Sequence, residues 1–87
     1  MKKKWFVYLI KCSDESLYCG IAIDVEKRIK AHVHGVGAKY TRGKGPFILL
    51  YSEECEDHKA AAQREVEIKG WSREKKLNLL KSKSKTK

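Results

Sequence analysis

The chain has 87 residues, of which 41% are hydrophobic, so it can form one small domain with a modest core but not two domains. Lys and Arg number 20 against 11 Asp and Glu, and the net charge of +9 favours phosphate-rich or anionic partners over acidic proteins. Seven of the basic residues lie in the terminal runs 2–4 and 81–87, so the position of the charge is more informative than its total.

The sequence contains no segment that resembles a membrane span or a disulfide framework. The longest apolar runs, residues 5–10 and 47–51, are far shorter than the roughly 20 residues that cross a bilayer, so we expect no membrane association. Cys12, Cys19 and Cys55 form no C-x-x-C pair, which argues against a structural zinc site as well. We therefore expect free thiols in a reducing, cytoplasmic environment.

The first part of the chain predicts a hairpin followed by a helix. Residues 4–12 are rich in aromatic and β-branched residues and are apolar on both faces, as in a strand that is covered on both sides. Residues 13–16 have the composition of a turn, and residues 17–23 read as a second strand. Asp24 is expected to cap a helix that ends at Gly35.

The rest of the chain predicts a loop, a strand and two helices. Residues 35–46 hold four glycines and the only proline, which indicates a loop, and residues 47–52 form the third strand. A second helix is expected from about Asp57 to Lys69. A third helix should follow, capped by Ser72 and ending near residue 80.

The predicted order β-β-α-β-α-α belongs to the α+β class. Because the first two strands are joined by a short turn, they must be antiparallel. We therefore expect a three-stranded antiparallel or mixed sheet flanked by helices. This single domain covers residues 4–80, and residues 81–87 should form a disordered Lys-rich tail.

One carboxylate is predicted to lie on the inward face of the second helix. With Ala61 set at zero and about 100° per residue, Ile68 lies near −20° and Val66 near 140°. Glu65 then lies at about 40°, in the middle of the apolar face. A carboxylate in that position is costly unless it is paired or coordinates a cation. An i,i+4 ion pair with Lys69 is the structural alternative to a metal site.

The loop before the third strand is basic and contains an aromatic residue. Residues 27–45 include six Lys and Arg and no acid, with Tyr40 and several glycines among them. Cations that meet phosphates, a ring that can stack on a base and glycines that permit close approach are typical of nucleic-acid interfaces. The candidate contacts are Lys39, Tyr40, Arg42 and Lys44. A solvated, flexible loop is the alternative.

Two tyrosines and a glycine form a third candidate feature. Gly20 lies where a strand normally carries a side chain, which often marks the close approach of a ligand or another backbone. A two-residue turn pairs Tyr18 with Lys11 and puts Tyr8 on the opposite face of the sheet. A three-residue turn with a bulge pairs Tyr18 with Cys12 and puts the two tyrosines on the same face. Packing in the core is the alternative role for either ring.

The order and spacing of these residues resemble the GIY-YIG nucleases over about residues 4–80. The runs 7–9 and 18–20, Val-Tyr-Leu and Tyr-Cys-Gly, are similar to the two signatures of that family. The residues that stand at its functional positions are Tyr8, Tyr18, Arg28, His32 and Glu65. The segments 37–42 and 64–69 are similar to those of compact bacterial members. Cys19 replaces an aliphatic residue, and Glu15 stands where relatives commonly place Gly in the turn.

The resemblance implies a metal-dependent DNA endonuclease, with a role in DNA repair or processing, that hydrolyses phosphodiester bonds in one step. It implies that Glu65 holds Mg²⁺ or Mn²⁺ and that Arg28 binds the scissile phosphate. Tyr18 is expected to position the water or the phosphate, with Gly20 leaving room beside it. We expect Tyr8, Tyr18, Arg28 and Glu65 to converge on one face of the sheet.

The identity of the general base stays open between Tyr8 and His32. A phenol titrates near 10, so Tyr8 needs a neighbouring cation, such as Arg28 or the metal, to lower its pKa. The unperturbed pKa of a histidine, near 6.5, suits the role better.

Two other functional classes are consistent with the same sequence. One is a nucleic-acid-binding module that does not catalyse, and the other is a small structural or interaction domain. DNA is the expected partner of the endonuclease and of the non-catalytic binding module, and not of the structural domain. Relatives with known roles carry a further DNA-binding domain, so target choice here is expected to come from the basic loop, the tails or a protein partner.

Overall fold

The computed structural model describes residues 4–35 and 43–85. Its elements follow the predicted order β-β-α-β-α-α, which confirms the α+β class. The strands are β1 (Trp5–Lys11), β2 (Leu17–Ala22) and β3 (Ile48–Cys55), and the helices are α1 (Val25–Val33), α2 (His58–Lys69) and α3 (Arg73–Lys85).

The three strands form one antiparallel sheet in the order β2-β1-β3. β1 lies in the centre, as its two apolar faces predict. Because side chains alternate along a strand, Val7 and Leu9 point to one face of the sheet, whereas Tyr8 and Ile10 point to the other. All four are buried.

Each face of the sheet is covered by a different helix. On one face, the buried cluster joins the sheet to α2 and consists of Val7, Leu9, Cys19 and Ile68. On the other face, the cluster joins the sheet to α1 and consists of Tyr8, Ile10 and Ala22 with the half-buried Val25 and Ile29. Residues from α1 and α2 therefore approach the sheet from opposite sides.

The β1–β2 hairpin closes through a three-residue loop, residues 13–15. Cys12 N donates to Ser16 O at 2.8 Å, and Glu15 N donates to Cys12 O at 2.9 Å. Glu15 adopts a φ of 72°, the left-handed conformation that a glycine at this position would adopt without strain. A residue with a Cβ holds that conformation at a cost of about 1 kcal/mol.

The register of the hairpin puts Tyr8 and Tyr18 on the same face of the sheet. Of the two alternatives, the three-residue loop is the one present, but Tyr18 pairs with Ile10 and not with Cys12, the partner that this alternative gave. The loop starts one residue earlier than expected because Asp14 closes the turn locally. Its carboxylate accepts a hydrogen bond from the backbone N–H two residues ahead at 3.0 Å.

Side-chain caps fix the starts of α1 and α2, and the cap at Asp24 was predicted. The Asp24 carboxylate accepts a hydrogen bond from Lys27 N at 3.1 Å, and the Asp57 carboxylate accepts one from Ala60 N at 2.9 Å. α1 is followed by Gly35 with a φ of 78°, which the absence of a side chain permits.

Two elements extend beyond their expected ends. β3 continues three residues past Ser52. α3 starts after Ser72 as predicted but continues to Lys85. The helix therefore includes residues 81–85, for which disorder was expected. The last two residues lie outside the described part of the chain. Lys is a good helix former, so an established helix can propagate through this segment.

The remaining expectations about the whole chain concern membranes and cysteines. Among the described residues, no helix is both long enough and apolar enough to cross a membrane. Cys12, Cys19 and Cys55 are free thiols, as predicted, and the first two are buried.

Candidate active site

A buried tyrosine–histidine pair lies between the sheet and α1. Tyr8 comes from the central strand and His32 from the last turn of α1, and each residue is only 1% exposed. Tyr8 Oη and His32 Nε2 are 2.9 Å apart, which is a hydrogen bond. The two candidates for the general base are therefore joined to each other.

Gly20 provides the space that the Tyr8 hydroxyl occupies. It lies directly opposite Tyr8 in the β1–β2 ladder. A Cβ at this position would lie 2.6 Å from Tyr8 Oη and 3.1 Å from Tyr18 Cε2. The close approach that a glycine in a strand indicates is thus the approach of the Tyr8 phenol. A contact between Gly20 and nucleic acid stays a prediction.

Aromatic rings surround the His32 imidazole. Its centroid lies 6.1 Å from that of Tyr8, 5.3 Å from that of Tyr18 and 5.7 Å from that of Phe47. Tilted and edge-on arrangements at these distances are favourable for aromatic pairs. The sequence pattern assigned Phe47 only to a strand. Its position just after the basic loop was the one signal that it belongs to the site.

Arg28 forms the exposed rim of this cluster. It lies one helical turn before His32 on α1, and its side chain is hydrogen-bonded to Tyr8. Burial raises the pKa of Tyr8 to about 12, although the hydrogen bond and charge of Arg28 act in the lowering direction. Arg28 alone therefore does not give Tyr8 a low pKa, because the loss of hydration outweighs its effect.

His32 has the opposite electrostatic character. Its pKa is lowered from the ordinary value of 6.5, first because burial disfavours the charged ring and second because Arg28 repels it. At neutral pH the imidazole is therefore uncharged and Tyr8 keeps its proton. In this state the Tyr8 hydroxyl can donate to His32 Nε2.

Glu65 lies beside the buried stripe of α2 and not at its centre. Ala61 and Ile68 are buried as expected, but Val66 is 71% exposed. The apolar face is therefore narrower than the sequence indicated, and the Glu65 side chain is 20% exposed. Lys69 Nζ lies 3.2 Å from Glu65 Oε2, so the predicted ion pair is present.

Lys69 connects Glu65 to the rest of the candidate site. Its ammonium lies 5.7 Å from the centroid of the Tyr18 ring, in addition to its contact with Glu65. Tyr8 and Tyr18 share the face of the sheet covered by α1, whereas Glu65 comes from α2 on the other face. The expected convergence on one face thus holds for the tyrosines and is wrong for Glu65, although Lys69 contacts both Glu65 and Tyr18.

The donor set available at Glu65 fits a hard, hydrated divalent cation. Mg²⁺ retains several water ligands and is commonly held by one or two carboxylates. Glu65 offers one carboxylate at a partly exposed position. In the described part of the chain, no three His, Cys, Asp or Glu side chains cluster as a metal site, which a multi-ligand zinc centre would require.

The predicted nucleic-acid contacts are only partly described. Lys39, Tyr40 and Arg42 lie outside the described residues. Lys44 is described, and its ammonium lies 3.3 Å from Asp14 Oδ2. Its carbonyl accepts a hydrogen bond from Ser13 N at 2.8 Å, so Lys44 attaches the end of the loop to the β1–β2 turn.

The chain is similar to a recognised catalytic domain over almost its whole length. The family described as the GIY-YIG catalytic domain matches residues 4–78. A UPF0213 protein of Clostridium perfringens is 54% identical over 79 residues, which cover 91% of this chain and 85% of that protein. A UPF0213 protein of Haloquadratum walsbyi is 51% identical over 74 residues, which cover 85% of this chain and 83% of that protein.

Two solution NMR structures share the fold. The UPF0213 protein from Bacillus halodurans has a TM-score of 0.60 and 44% identity, covering 92% of this chain and 85% of that chain. A protein from E. faecalis has a TM-score of 0.64 and 35% identity, covering 93% of this chain and 86% of that chain. The similarity thus includes both the sequence and the arrangement of strands and helices.

Proposed function

Since the chain belongs to the GIY-YIG nuclease family, we propose that it is an endonuclease that hydrolyses phosphodiester bonds in DNA with the aid of a divalent cation. The observation that carries this proposal is the buried Tyr8–His32 hydrogen bond with Arg28 at its exposed rim. A neutral imidazole joined to a protonated phenol can take up a proton, and an exposed guanidinium can bind a phosphate.

Tyr8 and His32 act together as the general base. Tyr8 is protonated at neutral pH, because its pKa is about 12, so it cannot accept a proton unless it loses its own. As the attacking water gives a proton to Tyr8 Oη, Tyr8 passes its proton to His32 Nε2 along the 2.9 Å hydrogen bond. The water oxygen forms a bond to phosphorus, the bond to the 3′ oxygen breaks, and the leaving oxygen takes a proton from solvent.

Arg28 binds the scissile phosphate in this scheme, and Tyr18 positions the water or the phosphate. Arg28 is exposed, so its planar guanidinium can make a forked contact with two oxygens of the scissile phosphate. The positive charge of Arg28 is also close to the imidazole, as its effect on the His32 pKa indicates. A negatively charged phosphate on Arg28 would reduce that repulsion and make His32 a better proton acceptor.

The cation would be held by Glu65. When bound, it would neutralise charge on the phosphate and on the leaving oxygen. Removing this carboxylate should therefore abolish the dependence on metal together with most of the activity.

Plasmid nicking tests the proposal. Purified protein is incubated with supercoiled, branched, nicked or single-stranded DNA in Mg²⁺, Mn²⁺ or EDTA. Tyr8→Phe and His32→Gln should each lower the cleavage rate at least about 100-fold, the usual contribution of a general base. Tyr51→Phe is the matched control, because it removes a phenol hydroxyl that donates to Glu53 Oε1 at 2.8 Å, on the side of the sheet covered by α2.

Three outcomes separate the functional classes. Metal-dependent cleavage that both variants abolish supports the endonuclease. Salt-sensitive DNA binding without cleavage by the parent protein would replace it with a non-catalytic binding module. Neither binding nor cleavage would leave a structural or interaction domain.

A further inference from the structure

Lys69 makes two contacts that join otherwise separate parts of the candidate site. Its ammonium lies 3.2 Å from Glu65 Oε2 and 5.7 Å from the centroid of the Tyr18 ring. Glu65 belongs to α2 and Tyr18 to β2, at the edge of the sheet. The Lys69 side chain is therefore located between the carboxylate and the aromatic cluster.

A positive side chain already contacts the Glu65 carboxylate. The ammonium of Lys69 lies 3.2 Å from Glu65 Oε2. A divalent cation at Glu65 therefore meets the charge of this ammonium.

We propose that Lys69 is the built-in counter-ion of Glu65 and that it sets the metal concentration at which the site is loaded. The ammonium neutralises the carboxylate in the metal-free protein and is displaced when a divalent cation binds. The inference rests on the proposed function, since it takes Glu65 as the metal ligand.

The geometry permits this exchange at low cost. The Lys69 side chain is 51% exposed, so its ammonium can leave Glu65 and become hydrated without a change in the fold. Ion pairs of this i,i+4 kind are weak in water. A divalent and a monovalent cation that share one carboxylate nevertheless repel each other, since they lie well within a Debye length of about 10 Å.

Binding of Mn²⁺, measured by titration without DNA, tests the proposal. Lys69→Met removes the ammonium and keeps much of the length of the side chain. Lys69→Met thereby loses the repulsion between a divalent and a monovalent ion about 6 Å apart in water. By Coulomb's law, reduced by screening, the dissociation constant of this variant for Mn²⁺ should be about three- to tenfold lower than that of the parent. Lys69→Arg keeps the charge and should bind Mn²⁺ about as the parent does.

Two further variants make the result specific. Lys59→Met removes the same charge from the first turn of α2, and this variant should bind Mn²⁺ with the affinity of the parent. Glu65→Gln measures the Mn²⁺ bound elsewhere on the protein, which is subtracted. If Glu65→Gln loses the site and Lys69→Met binds no tighter than the parent, the role of Lys69 is wrong and the proposed metal ligand stands. If Glu65→Gln binds like the parent, both fail.

Chemical labelling of lysines gives a second readout that needs no substitution. Acetylation of the parent protein is followed residue by residue in EDTA and in Mg²⁺, with Lys59 as the internal reference. Displacement frees the Lys69 amine from its contact with the Glu65 carboxylate, so Mg²⁺ should raise its labelling relative to Lys59. Equal labelling of Lys69 in the two conditions would contradict its displacement.

Discussion

Replacement of Gly20 by alanine tests how the site is assembled. The new Cβ would lie 2.6 Å from Tyr8 Oη and 2.8 Å from Tyr8 Cζ, distances at which one of the groups has to move. The phenol has little room to move, because Tyr8 is only 1% exposed and is hydrogen-bonded to His32. We expect Gly20→Ala to displace the ring and to lengthen or break that hydrogen bond.

The expected loss of stability follows from the cost of overpacking. Extra carbon atoms in a packed core usually cost about 1–3 kcal/mol. For a domain of this size, each kcal/mol lowers Tm by about 4–8 °C, so Gly20→Ala should melt at least about 4 °C below the parent. Thermal unfolding followed by circular dichroism measures this difference.

Gly70→Ala provides the matched control. Gly70 has an ordinary φ of −81°, and a Cβ there would approach Glu67 O at an acceptable 3.5 Å. The same chemical change should therefore be neutral or stabilise by up to about 1 kcal/mol, through the lower entropy of the unfolded chain. A Gly20→Ala protein as stable as Gly70→Ala would refute the assignment of this space to the Tyr8 hydroxyl.

A double variant identifies the atom responsible. Tyr8→Phe removes Oη, the closest atom to the new Cβ, but leaves Cζ in place. In the Gly20→Ala background, Tyr8→Phe should therefore cost less stability than in the parent, because it relieves part of the clash. Independent effects of the two substitutions would show that residue 20 and the hydroxyl do not interact.

Three further expectations concern charge. Glu65→Gln should lower metal-dependent cleavage at least about 100-fold. It should lower the free energy of unfolding by less than about 1 kcal/mol, since it breaks a partly exposed ion pair. Strong destabilisation, or cleavage at the parent rate, would return Glu65 to a structural role. Because the pKa of His32 is lowered from 6.5 by folding, the unfolded chain takes up a proton first, so Tm should fall as pH drops below that value. His32→Gln should reduce this loss and the exposed His34→Gln should not, and equal slopes for both would contradict a buried, neutral His32. Deleting residues 81–87, which include four lysines, should reduce the slope of log Kobs for DNA against log[salt] by up to about 3.6 with little change in Tm, and an unchanged slope would show that the tail does not contact DNA.

The features that the sequence predicted best are those that depend on neighbouring residues. Asp24, the predicted cap of α1, accepts a hydrogen bond from a backbone group three residues ahead, so this cap is encoded within one turn of chain. The central position of β1 follows from its apolar residues on both faces. The length of the hairpin loop was left open between two alternatives, because its register depends on which residue closes the turn, a choice that Asp14 makes locally.

Features that depend on packing between elements were predicted less well. A helical wheel gives the angles between residues but not the rotation of the helix against the sheet. α2 carries small or apolar residues on two sides, and packing selects the side with Ala61 and Ile68, leaving Val66 exposed. The pairing of Tyr8 with His32 joins residues 24 apart. It needs both the strand register and the docking of α1, and neither is encoded locally.

The sign of the Tyr8 pKa shift shows why composition alone misleads at such a site. A cation next to a phenol lowers its pKa, and Arg28 does act in that direction. The degree of burial, which the sequence does not give, reverses the net effect. A protonated Tyr8 is then useful only together with a neutral partner that accepts its proton, and the same burial keeps His32 neutral.

The sequence presents an ion pair and a metal site at Glu65 as alternatives. In the structure the two are compatible. A pair that excluded metal would have to be strong, hence buried and rigid. The Lys69 side chain is instead half exposed, and the pair spans one helical turn, where such contacts contribute only about 0.3–0.5 kcal/mol. A divalent cation brings twice the charge to the same carboxylate, so it can displace the ammonium. The presence of the ion pair therefore does not decide against metal binding. Mn²⁺ binding by Glu65→Gln decides that question, and the comparison of Lys69→Met with Lys69→Arg decides the role of Lys69.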